Sequence, residues 1–193
     1  MRAMAGLRAV PPELSGSVIV VIDAQREYLD GRLPLPNIEP AIDTIERLLA
    51  AARDVGAPVV HVAHQGKPGG TFDPESGGVI IDAVAPVDGE TVVHKTFPNA
   101  FAGTELRDVL TGLGDKALVL CGFMTHMCVS STARAALDLG IDTTVIADAC
   151  ATRPLPALGA GDAIPADVLH DVALTELADR FSVIAFADAF LAR

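Results

Sequence analysis

The sequence predicts an α/β fold, a mostly parallel sheet with helices on both faces. Three observations carry that expectation. Short β-branched runs alternate with helical patterns, the runs are apolar throughout, and no break in composition or internal repeat divides them. At 193 residues, half hydrophobic and 20% charged, the chain suffices for one compact domain and is short for two. Residues 1–193 are read as that single domain, with 1–16 as an N-terminal extension.

The elements follow in order. SVIVVID (Ser17 to Asp23) is a continuous apolar run ending in an acid, as a strand covered on both faces should be. Asn37 can cap a helix whose apolar residues recur at Ile38, Ile42, Ile45, Leu48, Leu49 and Ala52, stopped by Gly56 and Pro58. PVVHVAH (Pro58 to His64) is strand two. The Gly/Pro-rich stretch after it, through Gly78, cannot be regular structure, and a loop of that length is more often functional than idle. TVVHK (Thr91 to Lys95) is strand three, and TELRDVLTGLG a short helix. KALVLCGF is strand four, followed by a helix MCVSSTARAALDLG that ends at Gly140. DTTVIAD is strand five, ending at Asp148. Pro165 to Ala178 is a further helix, and FSVIAF strand six.

Composition excludes several functions. A net charge of −11 disfavours nucleic acid, whose binders carry a surplus of Lys and Arg. No apolar run approaches the roughly 18 residues that span a bilayer. The first residues lack the apolar core of a secretory signal, so a cytosolic protein is expected. Three cysteines with no CxxC pair suggest neither a disulfide framework nor a zinc site. GxSxG, a strand-one GxGxxG and GxxxxGK[ST] are absent, which disfavours serine hydrolases, dinucleotide sites and P-loops.

In open α/β sheets ligands bind beyond the carboxyl ends of the strands. Strand four runs out through Cys121-Gly-Phe-Met-Thr to Cys128, which opens the next helix. A free cysteine is usually a small buried hydrophobe, but a helix N-terminus supplies partial positive charge and free N–H groups that favour a thiolate. Cys121 within strand four and Cys150 beyond strand five are read as packing residues. Asp23, ending a buried strand, is a candidate base whose pKa an apolar surround would raise; its ordinary alternative is a cap or loop ion pair. Lys95, ending strand three, would lower the cysteine pKa, although a lysine taken singly is usually just exposed. Together the three make an Asp–Lys–Cys set. His61-x-x-His64 has a metal-compatible spacing without the carboxylates a site needs, and His94 and His126 have no evident partner.

VIDAQREY, HKTFPNAFAGTEL and GFMTHMCVSSTARAALDLG, in that order, resemble the isochorismatase-like cysteine hydrolase superfamily, over about Ser17 to Leu191. The resemblance implies a three-layer α/β/α, Rossmann-like fold with a six-stranded parallel sheet of order 3-2-1-4-5-6. It implies Asp23 as general base, Lys95 as supporting cation and Cys128 as nucleophile. It further implies a cis peptide at Phe123–Met124, supported by Thr125, that aims the Met124 N–H with that of Cys128 into an oxyanion hole. Gln25, Tyr28, Phe97 and Phe101, with the loop from Gln65 to Gly78, are expected around a small-molecule substrate. HVAHQGKPGG replaces the D-x-H-x-x-x-x-x-H metal motif of nicotinamidases, so neither metal nor cofactor is expected. Cys128 favours hydrolysis of an amide or carbamoyl C–N bond. The alternatives are vinyl ether hydrolysis with Asp23 as acid, a non-catalytic binding protein, and a redox-sensing cysteine. The resemblance also implies a homodimer or homotetramer.

Overall fold

The computed structural model describes residues 1–114 and 116–191. Six strands, β1 (Ser17–Ile22), β2 (Val59–His64), β3 (Thr91–Lys95), β4 (Ala117–Phe123), β5 (Thr143–Ala151) and β6 (Val183–Ala185), form one sheet of order β3-β2-β1-β4-β5-β6. Every pairing is parallel. The strand order reverses between the neighbours β1 and β4, the chain crossing the sheet from β3 to β4, which opens a crevice at the carboxyl ends of β1 and β4.

Residue parity explains the three layers, because side chains along a strand alternate between faces. Ile19 and Val21 of β1, with Val119, Cys121 and Phe123 of β4, face one core, closed by α1 (Ile38–Asp54) and α5 (Asp188–Leu191). Val18, Val20 and Ile22 join Leu118 and Leu120 in a second core, covered by α2 (Leu106–Gly112), α3 (Ser130–Asp138) and α4 (Ala166–Arg180). In α1 the positions picked out by spacing, from Ile38 to Ala52, are the buried stripe. The N-terminal segment docks on the end of α4, where the Arg2 guanidinium donates to the carbonyls of Arg8 and Arg180.

Four expectations are corrected. Asn37 does not cap α1 through its side chain; it takes a left-handed conformation (φ 54°) that turns the chain into the helix, a geometry asparagine tolerates. β5 does not end at Asp148. Its pairing slips, with Leu120 opposite Val145 but Gly122 opposite Cys150, so Ala149 to Ala151 extend the strand and Cys150 lies within it. Strand six is shorter than FSVIAF, because Ser182 is tied by its N–H to the Leu177 carbonyl before β6 starts. Cys128 does not open a regular α-helix: Thr125–Val129 is a π-helical turn, and α3 starts only at Ser130.

Gly122 sets how closely β1 and β4 approach. Its φ is 111°, and a Cβ there would lie 2.0 Å from the Ile22 carbonyl oxygen. Gly122→Ala is expected to destabilise the protein by about 2–5 kcal/mol, combining backbone strain with overpacking, read as a lowered urea midpoint at unchanged slope.

Candidate active site

Each element delivers one group to the crevice. The chain leaves β1 with Asp23 held by its N–H to the Val62 carbonyl (2.8 Å) and a left-handed backbone (φ 49°), a conformation Asp and Asn enter more readily than bulkier residues. From β3, two strands away, Lys95 spans β2 with its long stem and brings Nζ to 2.7 Å from Asp23 Oδ2. The same Nζ donates to Cys128 Sγ at 3.4 Å. The three side chains expected at separate strand ends thus converge, and all three are buried.

Burial dominates their electrostatics. It pushes the Asp23 carboxyl above its usual range, against the pull of the Lys95 charge and of hydrogen bonds from Lys95 and Cys128. With both side chains fully buried and Nζ 2.7 Å from Oδ2, the pair is held mainly by charge. The Cys128 thiol is pushed up to about 12, first by burial and then by the Asp23 charge, with Lys95 opposing. The thiol expected to be lowered by Lys95 and the helix terminus is instead raised. Between turn N–H groups and Lys95 on one side and a dry pocket holding a carboxylate on the other, the latter wins, and the resting sulfur keeps its proton.

The peptide Phe123–Met124 is cis. Thr125, fully buried behind it, shares a 2.9 Å hydrogen bond with Nδ1 of His170 on α4. The Met124 N–H has no acceptor among the described residues.

Of the expected pocket residues, Gln25 is reassigned. It is fully buried: its Oε1 accepts from the His64 N–H (2.8 Å), and its Nε2 donates to the carbonyls of His64 (2.9 Å) and Gly78 (2.6 Å). With its amide committed to the backbone, it clasps the long loop instead of meeting a ligand. Tyr28 is buried edge-on against Phe72 (5.2 Å) and Phe123 (6.0 Å), and its phenol is raised by burial and then by the Asp23 charge. Phe97 projects into solvent and Phe101 packs on the second core.

Three residues escaped the sequence reading. Glu27 fastens the loop, its carboxylate accepting from the N–H groups of Arg32 (2.9 Å) and Phe72 (3.0 Å). Arg153, after β5, acts on both Tyr28 and His126, and its Nε is buried without an acceptor among the described residues. His64, set aside with His61 as a weak metal pair, lies 3.3 Å from Lys95 Nζ. The signal that could have found it is its place at the end of strand two, beside the strand carrying Lys95. His61 and His64 point to opposite faces of β2; His61 binds Glu90 at 3.0 Å on the α1 side. No three or more His, Cys, Asp or Glu side chains among the described residues form a metal-binding group.

The isochorismatase domain profile matches residues 17–188. The chain belongs to the isochorismatase family. It is 38% identical over 189 residues to a secreted isochorismatase effector of Verticillium dahliae, covering 95% of this chain and 96% of that one. A streptothricin hydrolase of Streptomyces noursei is 35% identical across 89% of this chain and 69% of its own. A maleamate amidohydrolase of Pseudomonas putida is 31% identical over 153 residues, 70% of this chain and 72% of its own. The crystal structure of an isochorismatase from Pseudomonas putida superposes with a TM-score of 0.93 at 41% identity, over 98% of this chain and 97% of that chain. This isochorismatase-family hydrolase shares the whole sheet with its relatives. None of its described helices is long and apolar enough to cross a membrane.

Proposed function

We propose that the protein hydrolyses a small amide or carbamoyl C–N bond through a thioester on Cys128. The observation that carries this reading is the shared contact of Lys95 Nζ with Asp23 Oδ2 at 2.7 Å and Cys128 Sγ at 3.4 Å. Asp23 takes the thiol proton as the sulfur attacks the carbonyl carbon, and the Lys95 ammonium offsets the negative charge at each stage. The Met124 N–H, unoccupied, and that of Cys128 receive the oxyanion. Asp23 then passes its proton to the nitrogen as the C–N bond breaks. Water attacks the thioester, giving one proton to Asp23, and the sulfur recovers it on release of the acid.

The raised Asp23 carboxyl suits both halves of this cycle, since a carboxyl moved up towards the operating pH is a better base than a free one and can still return the proton. The neutral resting thiol also fits, because the proton moves within one buried set as substrate arrives. Relatives named hydrolases and amidohydrolases support the reaction class. Arg153, with a free buried Nε, supports a substrate carrying negative charge. Three cysteines, all free, support a reducing compartment.

A second reading draws on the same raised carboxyl: protonated Asp23 cleaving a vinyl ether without the sulfur. One experiment separates them. Incubated with a panel of small amides, ureas and carbamates, with and without a carboxylate, the wild type accumulates an acyl adduct visible in the intact mass. Cys128→Ala forms none and hydrolyses at least about 10³-fold more slowly. Wild-type amide turnover by Cys128→Ala would sink the thioester route, and wild-type hydrolysis of a vinyl ether by the same variant would favour the second reading.

A further inference from the structure

An ammonium has three N–H donors and no acceptor. The Lys95 side chain is fully buried, so each donor needs a partner within the protein. Two partners are Asp23 and Cys128; the remaining one is Nδ1 of His64, 3.3 Å from Nζ. β2 and β3 pair with His64 opposite Lys95, so the two side chains rise side by side from one face of the sheet. An N–H of Lys95 can be met only by an Nδ1 that keeps its lone pair, which places the ring proton on Nε2. His64 is therefore the neutral Nε2–H tautomer. Consistently, burial and then the Lys95 charge push the imidazole below its ordinary value, against the pull of Asp23.

The ring is built into the site on every side. Its backbone N–H and carbonyl are both held by Gln25. Phe72 packs against it with ring centroids 4.9 Å apart, and the N–H of Phe72 is fastened in turn to Glu27. Asp23, Lys95 and Cys128 are buried, whereas His64 is only partly buried, so this residue links the dry set to solvent.

We propose that His64 is a positioning residue of the active site: its Nδ1 takes one Lys95 proton and so aims the other two at Asp23 and Cys128. The inference rests on reading Asp23, Lys95 and Cys128 as the reacting groups. It carries a consequence for pH. The ionisable groups acting on the ring are Lys95 from β3 and Asp23 from the end of β1, with Cys128 reached through Lys95 and Glu27 behind Phe72. Protonating His64 removes the acceptor and sets a second cation 3.3 Å from the first. Lys95 is driven off, and the developing thiolate loses its counter-ion.

The test is alkylation of Cys128 by iodoacetamide, followed from about pH 5 to pH 9, with the modified cysteine located by peptide mass. No substrate is required, so the result is independent of which bond the enzyme cleaves. Ionisation of the thiol itself slows every variant on acidification; beyond that common slope, wild type is expected to show a further limb in which the rate falls about 10-fold or more. His64→Leu, lacking the acceptor, reacts about 10-fold more slowly at neutral pH. His64→Asn, whose Oδ1 stands near the position of Nδ1, keeps the neutral rate within about 3-fold and loses or shifts the limb. Should the leucine variant fail to fold, the asparagine variant decides alone. An unchanged limb in His64→Asn assigns it to Asp23 and overturns the proposal, as does a wild-type rate in a folded His64→Leu. If Cys128→Ala retains hydrolysis while the limb still follows His64, the amide reading falls and the His64 inference stands.

Discussion

Asp23→Asn is expected to lower amide hydrolysis by about 10³–10⁴-fold. Asparagine matches the shape of aspartate and accepts the left-handed backbone found at this position (φ 49°), so the fold around β1 is kept. The amide has no usable lone pair for the thiol proton and no proton to give the leaving nitrogen, and both half-reactions stall. The Cys128 thiol loses a neighbour whose charge raises it, so its own pKa falls even as turnover disappears. Steady-state rates on the best amide of the panel, with thiol titration by absorbance of the thiolate, check both statements. Turnover within about 10-fold of wild type would remove Asp23 from the chemistry. Both hydrolytic readings predict this loss, so Asp23→Asn tests the base and Cys128→Ala tests the nucleophile.

The second large effect is on stability. Lys95→Met leaves a buried carboxylate without its cation and is expected to cost about 3–5 kcal/mol above neutral pH. Its pH dependence has a definite sign. The folded Asp23 carboxyl already lies above its unfolded value because of burial, and Lys95 is the largest influence holding it down. Removing Lys95 raises it further. A raised carboxyl contributes stability that is fully present below its unfolded value and is lost as pH rises through its folded value. The deficit of Lys95→Met therefore grows on the alkaline side and shrinks towards about pH 3, where Asp23 is largely neutral in both folded and unfolded chains. Adding Asp23→Asn to Lys95→Met removes the stranded charge and recovers most of the loss at neutral pH, while leaving the protein inactive. Urea unfolding of the single and double variants at several pH values measures this. A pH-independent deficit, or no recovery in the double variant, would mean that the charge pair does not govern the effect.

The sequence by itself determined the sheet and its faces. Continuous Val/Ile runs such as Ser17 to Asp23 fit only strands buried on both sides, and the stripe from Ile38 to Ala52 fits only a helix lying on them. Strand ends marked Asp23, Lys95 and the segment leading to Cys128, because the carboxyl edge of a parallel sheet is where such groups can meet a ligand. Tertiary structure alone decided what those groups became on meeting. That Cys128 rests as a thiol follows from burial outweighing Lys95, a balance between groups far apart in sequence. Gln25 is reassigned because the backbone of His64 at the end of β2 and of Gly78 in the loop engages its amide. His64 entered the site, and parted from His61, through strand register and side-chain parity at β2. Periodicity reports which face a residue covers, whereas charge, proton and partner depend on distances that exist only once the strands are side by side.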